Sequence, residues 1–222
     1  MAEKNVQAPV FSKKYLIVNE VLNSVTHGIG VGFSIVGLVL LLLKGVQLHS
    51  TIHVVSYAIY GASLILLFLS STLFHSLIFT RARKVFQVFD HCSIFVLIAG
   101  SYTPFCLLAL PKKIGWPILI GIWALAIAGI VYKSLTLHKK ETVSKVSTII
   151  YLIMGWGVAF TIPALIKSIG LQGALLLLSG GVAYSLGAFV YSLKNVRFMH
   201  VVWHLFVLLA AALMYASVYM YT

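Results

Sequence analysis

Apolar residues run through this chain in long stretches, and the polar residues between them come in short clusters. Seven stretches approach the ~20 residues that a helix needs to cross a bilayer. They lie at about 24–43, 54–75, 89–110, 116–135, 147–166, 173–192 and 200–221. The connections are short, which makes neighbouring helices antiparallel. The pattern predicts an all-α membrane protein: a seven-transmembrane helix bundle forming one domain over residues 15–222, preceded by a loose polar tail over residues 1–14. Gly28 and Gly32 make a GxxxG step in the first span, the spacing of closely packed membrane helices. Pro104 and Pro163 are placed to kink the third and fifth spans.

Composition narrows the class. The chain is 222 residues long, 61% hydrophobic and 9% charged, with a mean hydropathy of +1.04, more apolar than a soluble domain of this size needs to be. Its net charge of +12 would suggest nucleic acid in a soluble protein. Here the cations cluster between apolar runs, so they read as interfacial anchors and topology signals, and no nucleic-acid partner is expected. Cys92 and Cys106 fall in one apolar run, about 21 Å apart on a helix, too far for a disulfide, and read as free buried thiols. The first twenty residues carry Glu3, Lys4, Lys13, Lys14 and Glu20, and no removable signal peptide is expected.

Charge also orients the bundle. With the N-terminus inside, the inner segments hold twelve cations: Lys4, Lys13, Lys14, Arg81, Arg83, Lys84, Lys133, Lys139, Lys140, Lys145, Lys194 and Arg197. The outer loops hold four, Lys44, Lys112, Lys113 and Lys167. This bias predicts a cytoplasmic N-terminus and an external C-terminus.

Depth then follows from sequence distance. His75 precedes Arg81 by six residues, Asp90 follows Lys84 by six, and His200 follows Arg197 by three. At 1.5 Å per residue all three lie within about 10 Å of the cytoplasmic boundary. His200 and His204 are four residues apart, so a helix presents both imidazoles on one face. Polar groups at such depth are costly and usually functional. Three imidazoles, His75, His200 and His204, are the donor set of an open zinc site with room for a water; other imidazole-binding metals fit the same ligands. Asp90 is a candidate general base for that water, or alternatively the carboxylate that holds a histidine's second nitrogen. Ser71, one turn before His75, is a candidate hydrogen-bond donor to the water or to a substrate oxyanion, with Ser70 its neighbour and a bond to its own helix the plain alternative. His91 is the competing ligand, on another face of its helix. Glu20, Asn23 and His27 form a polar stripe on the first span and read as supports for the site rather than ligands. His49, His53 and His138 read as surface residues.

Several stretches together resemble one family. Glu20-x-x-Asn23-x-x-Thr26-His27, Ser71-x-x-x-His75, Asp90-His91-Cys92-Ser93-Ile94, Gly100-Ser101-Tyr102-Thr103-Pro104-Phe105 and His200-x-x-x-His204 are similar to the motif set of the hemolysin III proteins. These are the bacterial branch of the progestin and adipoQ receptor family, in a wider superfamily that includes alkaline ceramidases. The resemblance implies a multi-pass protein of the bacterial plasma membrane with zinc on the inner side, held by His75, His200 and His204, and with Asp90 and Ser71 beside the zinc water. It implies a metal-dependent hydrolase of an amide or ester bond, with membrane lipids and a lipid-like substrate as partners. The alternatives are a non-enzymatic regulator or sensor of membrane state with a structural zinc, and a haemolytic protein.

Overall fold

The computed structural model describes residues 12–136, 145–193 and 195–222, with 145 and 146 by backbone alone. Residues 1–11 of the expected tail, together with His138, Lys139, Lys140 and Lys194, lie outside the described residues. The described chain is helical throughout and contains no strand: α1 (Lys13–Gln47), α2 (Thr51–Ser76), α3 (Arg83–Pro104), α4 (Lys112–Thr136), α5 (Lys145–Trp156), α6 (Ile162–Ser192) and α7 (Met199–Tyr221). A π turn, Phe105–Ala109, continues α3, and a 3-10 turn, Gly157–Thr161, joins α5 to α6. α1 packs on α2 and α7, α3 on α2 and α4, and α6 on α7. Large apolar side chains cover the outside, with Phe33 72% and Phe160 93% exposed, a surface suited to lipid and not to water.

The seven expected spans do not all appear as separate helices. Among the described residues six helices have the length and hydropathy to cross a membrane. The fifth and sixth predicted runs fall in one helical stretch of 46 residues, Ser147–Ser192. Gly170 interrupts it, at φ 71° and ψ 171°, a conformation open to glycine and strained for other residues. The two prolines act near helix ends. Pro104 closes α3 and is followed by the π turn, and Pro163 stands in the first turn of α6, where its missing N–H costs nothing.

Close packing does not use the GxxxG step. Gly32 is exposed with open space where its Cβ would be, and Gly28 meets only Thr72, at 3.7 Å. The buried face of α1 instead runs through Asn23, His27, Gly30, Ser34, Gly37, Leu41 and Gly45. A Cβ on Gly30 would come within 2.7 Å of the Phe68 ring and 2.9 Å of Leu208, so this glycine lets α1 approach α2 and α7 together. The GxxxG pattern counts spacing but not facing, and the helix turned its other small residues inward. Polar contacts fasten the same three helices: Ser24 Oγ and Ser76 Oγ are 2.6 Å apart, and Lys44 donates to the Tyr219 carbonyl at 2.7 Å. Lys133 is also unlike the anchor its charge suggested. It is 3% exposed and donates to Ser147 Oγ at 3.3 Å, tying α4 to α5. Cys92 and Cys106 are free and buried, as expected.

Gly30→Leu should overpack the junction of α1, α2 and α7, at a cost of about 1–3 kcal/mol, and lower the melting temperature in detergent. Gly32→Leu should leave it unchanged. Equal melting temperatures for the two variants would refute this packing scheme.

Candidate metal centre

His75 sits in the last turn of α2, and His200 and His204 in the first two turns of α7. The bundle brings the three rings together, with centroids 5.0 Å apart for His75 and His200, 5.0 Å for His75 and His204, and 4.7 Å for His200 and His204. One nitrogen from each lies within 4.8 Å of the other two. His75 is 4% and His204 1% exposed, and His200 is half-buried.

The outer nitrogens fix which inner ones can bind a metal. His75 Nδ1 lies 2.5 Å from Glu20 Oε2, and a carboxylate accepts, so Nδ1 carries the proton. That leaves a lone pair on Nε2, which is buried and has no hydrogen-bond partner. His204 Nδ1 donates to the Asn23 carbonyl at 3.1 Å, with Thr26 Oγ1 a further 3.3 Å partner, so its Nε2 is likewise the lone-pair nitrogen. A histidine held through one nitrogen by a carboxylate or carbonyl and offering the other is the usual arrangement around a metal. The unpartnered Nε2 of His75 gives the fit: a cation accounts for it where no protein donor does.

α1 supplies these supports. Glu20, Asn23 and His27 recur at i, i+3 and i+7, which puts them on the face turned to α2 and α7. Glu20 holds His75 through one oxygen and Arg83, the first residue of α3, through the other at 3.0 Å. His27 lies flat on His204, with centroids 3.6 Å apart and planes 8° from parallel. At the start of α7, Phe198 adopts φ 61°, a left-handed conformation that a bulky residue rarely takes. Its N–H donates to Tyr15 Oη at 2.9 Å and its ring packs edge-on to that of Tyr15 at 5.0 Å, which offsets the strain and sets the direction of α7 just before His200.

A cavity of about 170 Å³ opens onto His200 and His204. Its wall includes Ser71, Asp90, His91, His200 and His204 at one end. On α3 the lining continues from Asp90 to Phe105, about 22 Å along the helix. Asp90 interacts with both His75 and Ser71. Ser70 faces elsewhere, bonding the Leu66 and Leu67 carbonyls and Ser93 Oγ. His91 Nε2 is 4.0 Å from Asp90 Oδ2, too long for a hydrogen bond, and His91 is not in the group of three. His49 is exposed, and His53 is half-buried and bonded to Ser50 Oγ at 2.7 Å; neither belongs to the centre. The sequence held no sign of the Tyr15–Phe198 contact, which joins residues 183 positions apart. The Glu20–Arg83 pair had the polar stripe as its only signal.

Fold and site define a multi-pass integral membrane protein with a buried three-histidine group that could hold a metal ion. The chain belongs to the Haemolysin-III related family, whose model matches residues 15–215. It is 39% identical to Hemolysin-3 of Bacillus cereus over 221 residues, covering 100% of this chain and 97% of that protein. It is 40% identical to the Hemolysin-3 homolog of Bacillus subtilis (strain 168), covering 93% and 96%. A human relative, Monocyte to macrophage differentiation factor, is 33% identical over 73% of this chain and 68% of its own length.

His200→Ala and His204→Ala should each abolish bound transition metal in the purified protein, measured by elemental analysis. Glu20→Gln should weaken metal binding by about 10–100-fold in a chelator competition, the usual effect of losing a ligand's carboxylate partner. Undiminished metal in both alanine variants would rule out the centre.

Proposed function

We propose that this protein is a zinc-dependent intramembrane hydrolase that cleaves an amide or ester bond in a lipid-like substrate. The observation that carries the reading is the long apolar cavity that reaches His200 and His204, two of the three grouped histidines, with Asp90 and Ser71 also in its wall. Three histidines are the donor set of a catalytic zinc with an open position, whereas a structural zinc is normally closed by a fourth protein ligand. When bound there, zinc would acidify a water and polarise a carbonyl.

The protein's own groups account for the rest. The cavity takes the hydrocarbon chain and excludes bulk water from the reacting carbonyl. Asp90 accepts the proton of the attacking water and passes it to the leaving amine or alcohol. The Ser71 hydroxyl donates to the carbonyl oxygen as charge develops on it. Glu20 and the Asn23 carbonyl hold His75 and His204 in the tautomers that leave Nε2 free.

The same reading includes seven crossings. A stretch of 46 residues would be about 69 Å long if straight, more than twice the ~30 Å hydrocarbon core. The bend at Gly170 supports its crossing twice, with the N-terminus cytoplasmic and the C-terminus outside.

Two measurements test these statements. Asp90→Asn keeps the shape of the side chain, so zinc content should hold while release of fatty acid from a lipid amide or ester falls by about two to four orders of magnitude. A broad panel of ceramides, acyl amides and phospholipids yielding no zinc-dependent fatty acid would end the hydrolase reading. Reporter fusions at residues 1 and 222 should report opposite sides of the membrane; the same side for both would mean an even number of crossings.

A further inference from the structure

Several phenols inside this protein are satisfied by the protein itself. Tyr102 donates to the Met154 carbonyl at 2.7 Å, Tyr151 to that of His91 at 3.0 Å and Tyr215 to that of Gly37 at 2.9 Å, while Tyr57 pairs with Thr222 Oγ1 at 3.3 Å. Three phenols that line the cavity, Tyr60, Tyr184 and Tyr191, make no such bond among the described residues; Tyr191 packs on His200, and Tyr60 is the most deeply buried of the three. Tyr60 is 1% exposed, its hydroxyl has no partner, and it lines the cavity. Tyr184 lines the same cavity from α6 and makes no hydrogen bond through its hydroxyl among the described residues. The two phenols are within electrostatic reach of each other. The lining around them is otherwise largely apolar, with Leu67, Leu97, Leu177 and Met214 among it.

A hydroxyl buried in a membrane bundle without a partner is costly, and native structures rarely keep one unless something absent from the bare chain completes it. The Tyr60 hydroxyl is such a group, and the Tyr184 side chain, half-buried, faces the same cavity; both are set back from the histidines. Tyr60 precedes His75 by fifteen residues of α2, about 22 Å, and Tyr184 precedes Tyr191, which packs on His200, by seven residues of α6, about 10 Å. An extended chain advances ~1.2 Å per bond, so the two phenols bracket a stretch roughly 8 to 18 bonds from a carbonyl placed at the histidines.

We propose that Tyr60 and Tyr184 form a second polar station in the cavity, which binds an oxygen-bearing group, a hydroxyl or carbonyl, on the distal part of an acyl chain. The station deepens the hydrolase reading and rests on it for the position of the chain's head. Each phenol can donate and accept, so the pair recognises either group. A plain hydrocarbon chain leaves both hydroxyls unpaired, which makes the station a selector for oxygenated chains.

Direct binding to the purified protein in detergent tests this without turnover. The probes are octadecanoate and hydroxyoctadecanoates bearing the hydroxyl at the second carbon, at mid-chain or at the terminal carbon, each displacing a fluorescent fatty acid. At least one distal hydroxyl should bind about tenfold tighter than the plain chain, the worth of one satisfied buried hydrogen bond. The hydroxyl at the second carbon should give no such gain. In the Tyr60→Phe/Tyr184→Phe protein the distal preference should vanish, while the plain chain binds as well as before, which also reports that the variant is folded. Equal binding of plain and distally hydroxylated chains by the unaltered protein would overturn the station alone, as would a preference that survives the double substitution. Failure of every chain to bind would overturn the station and the lipid-hydrolase reading together.

Discussion

The Glu20 carboxylate is the contact on which the centre depends. It lies in a helix that supplies none of the three grouped histidines, yet it grips His75 of α2 with one oxygen and Arg83 of α3 with the other. In an apolar surrounding neither an imidazole nor a carboxylate can fall back on water, so each must find a partner within the protein. The carboxylate meets that demand for three helices at once. It also decides chemistry: with His75 Nδ1 committed to Glu20, the lone pair can only be on Nε2, on the side of α7.

Helix packing makes that reach possible. The side chain of Glu20 is short compared with the width of a helix, so α1 has to lie close against α2. The glycine at position 30, nearly three turns further along, is where the close approach is built, with Phe68 and Leu208 occupying the space a side chain would take. Ser24 ties α1 to Ser76, the last residue of α2. Small residues and the polar stripe therefore serve one purpose, and they share the inward face of α1 for that reason.

How much of this the sequence discloses depends on whether a feature is local. The apolar runs are local, and so is the four-residue step that pairs His200 with His204. His75 and Asp90 could be set beside them only through depth, which charge clusters supplied. What the sequence hides is facing and continuity. Gly28 and Gly32 have the right spacing and the wrong face. Lys133 counts as an inner cation but is buried between α4 and α5. Two apolar runs became one interrupted helical stretch because the six residues between 166 and 173 carry a single charge, Lys167, and the backbone turns only at Gly170. The left-handed Phe198 is set by Tyr15, at the other end of the chain, and no local pattern announces it.

The cavity has its own structural requirement, visible where α5 stops. A helix that ends inside an apolar layer leaves its last carbonyls without partners. α5 ends at Trp156, and the 3-10 turn that follows changes the hydrogen-bonding register. Tyr102 of α3 closes the gap, donating to the Met154 carbonyl at 2.7 Å and lying 3.2 Å from that of Gly155. Trp156 donates to Ser185 Oγ of α6 at 2.9 Å. The break thus ties α5 to α3 on one side and to α6 on the other, and Tyr102, Gly155, Trp156 and Ser185 all line the cavity. An unbroken α5 would satisfy its own carbonyls and have no call on the Tyr102 hydroxyl. The irregular backbone stands beside the cavity because that is where a membrane protein can tolerate it, and the hydrogen bonds that compensate for it hold the walls in place.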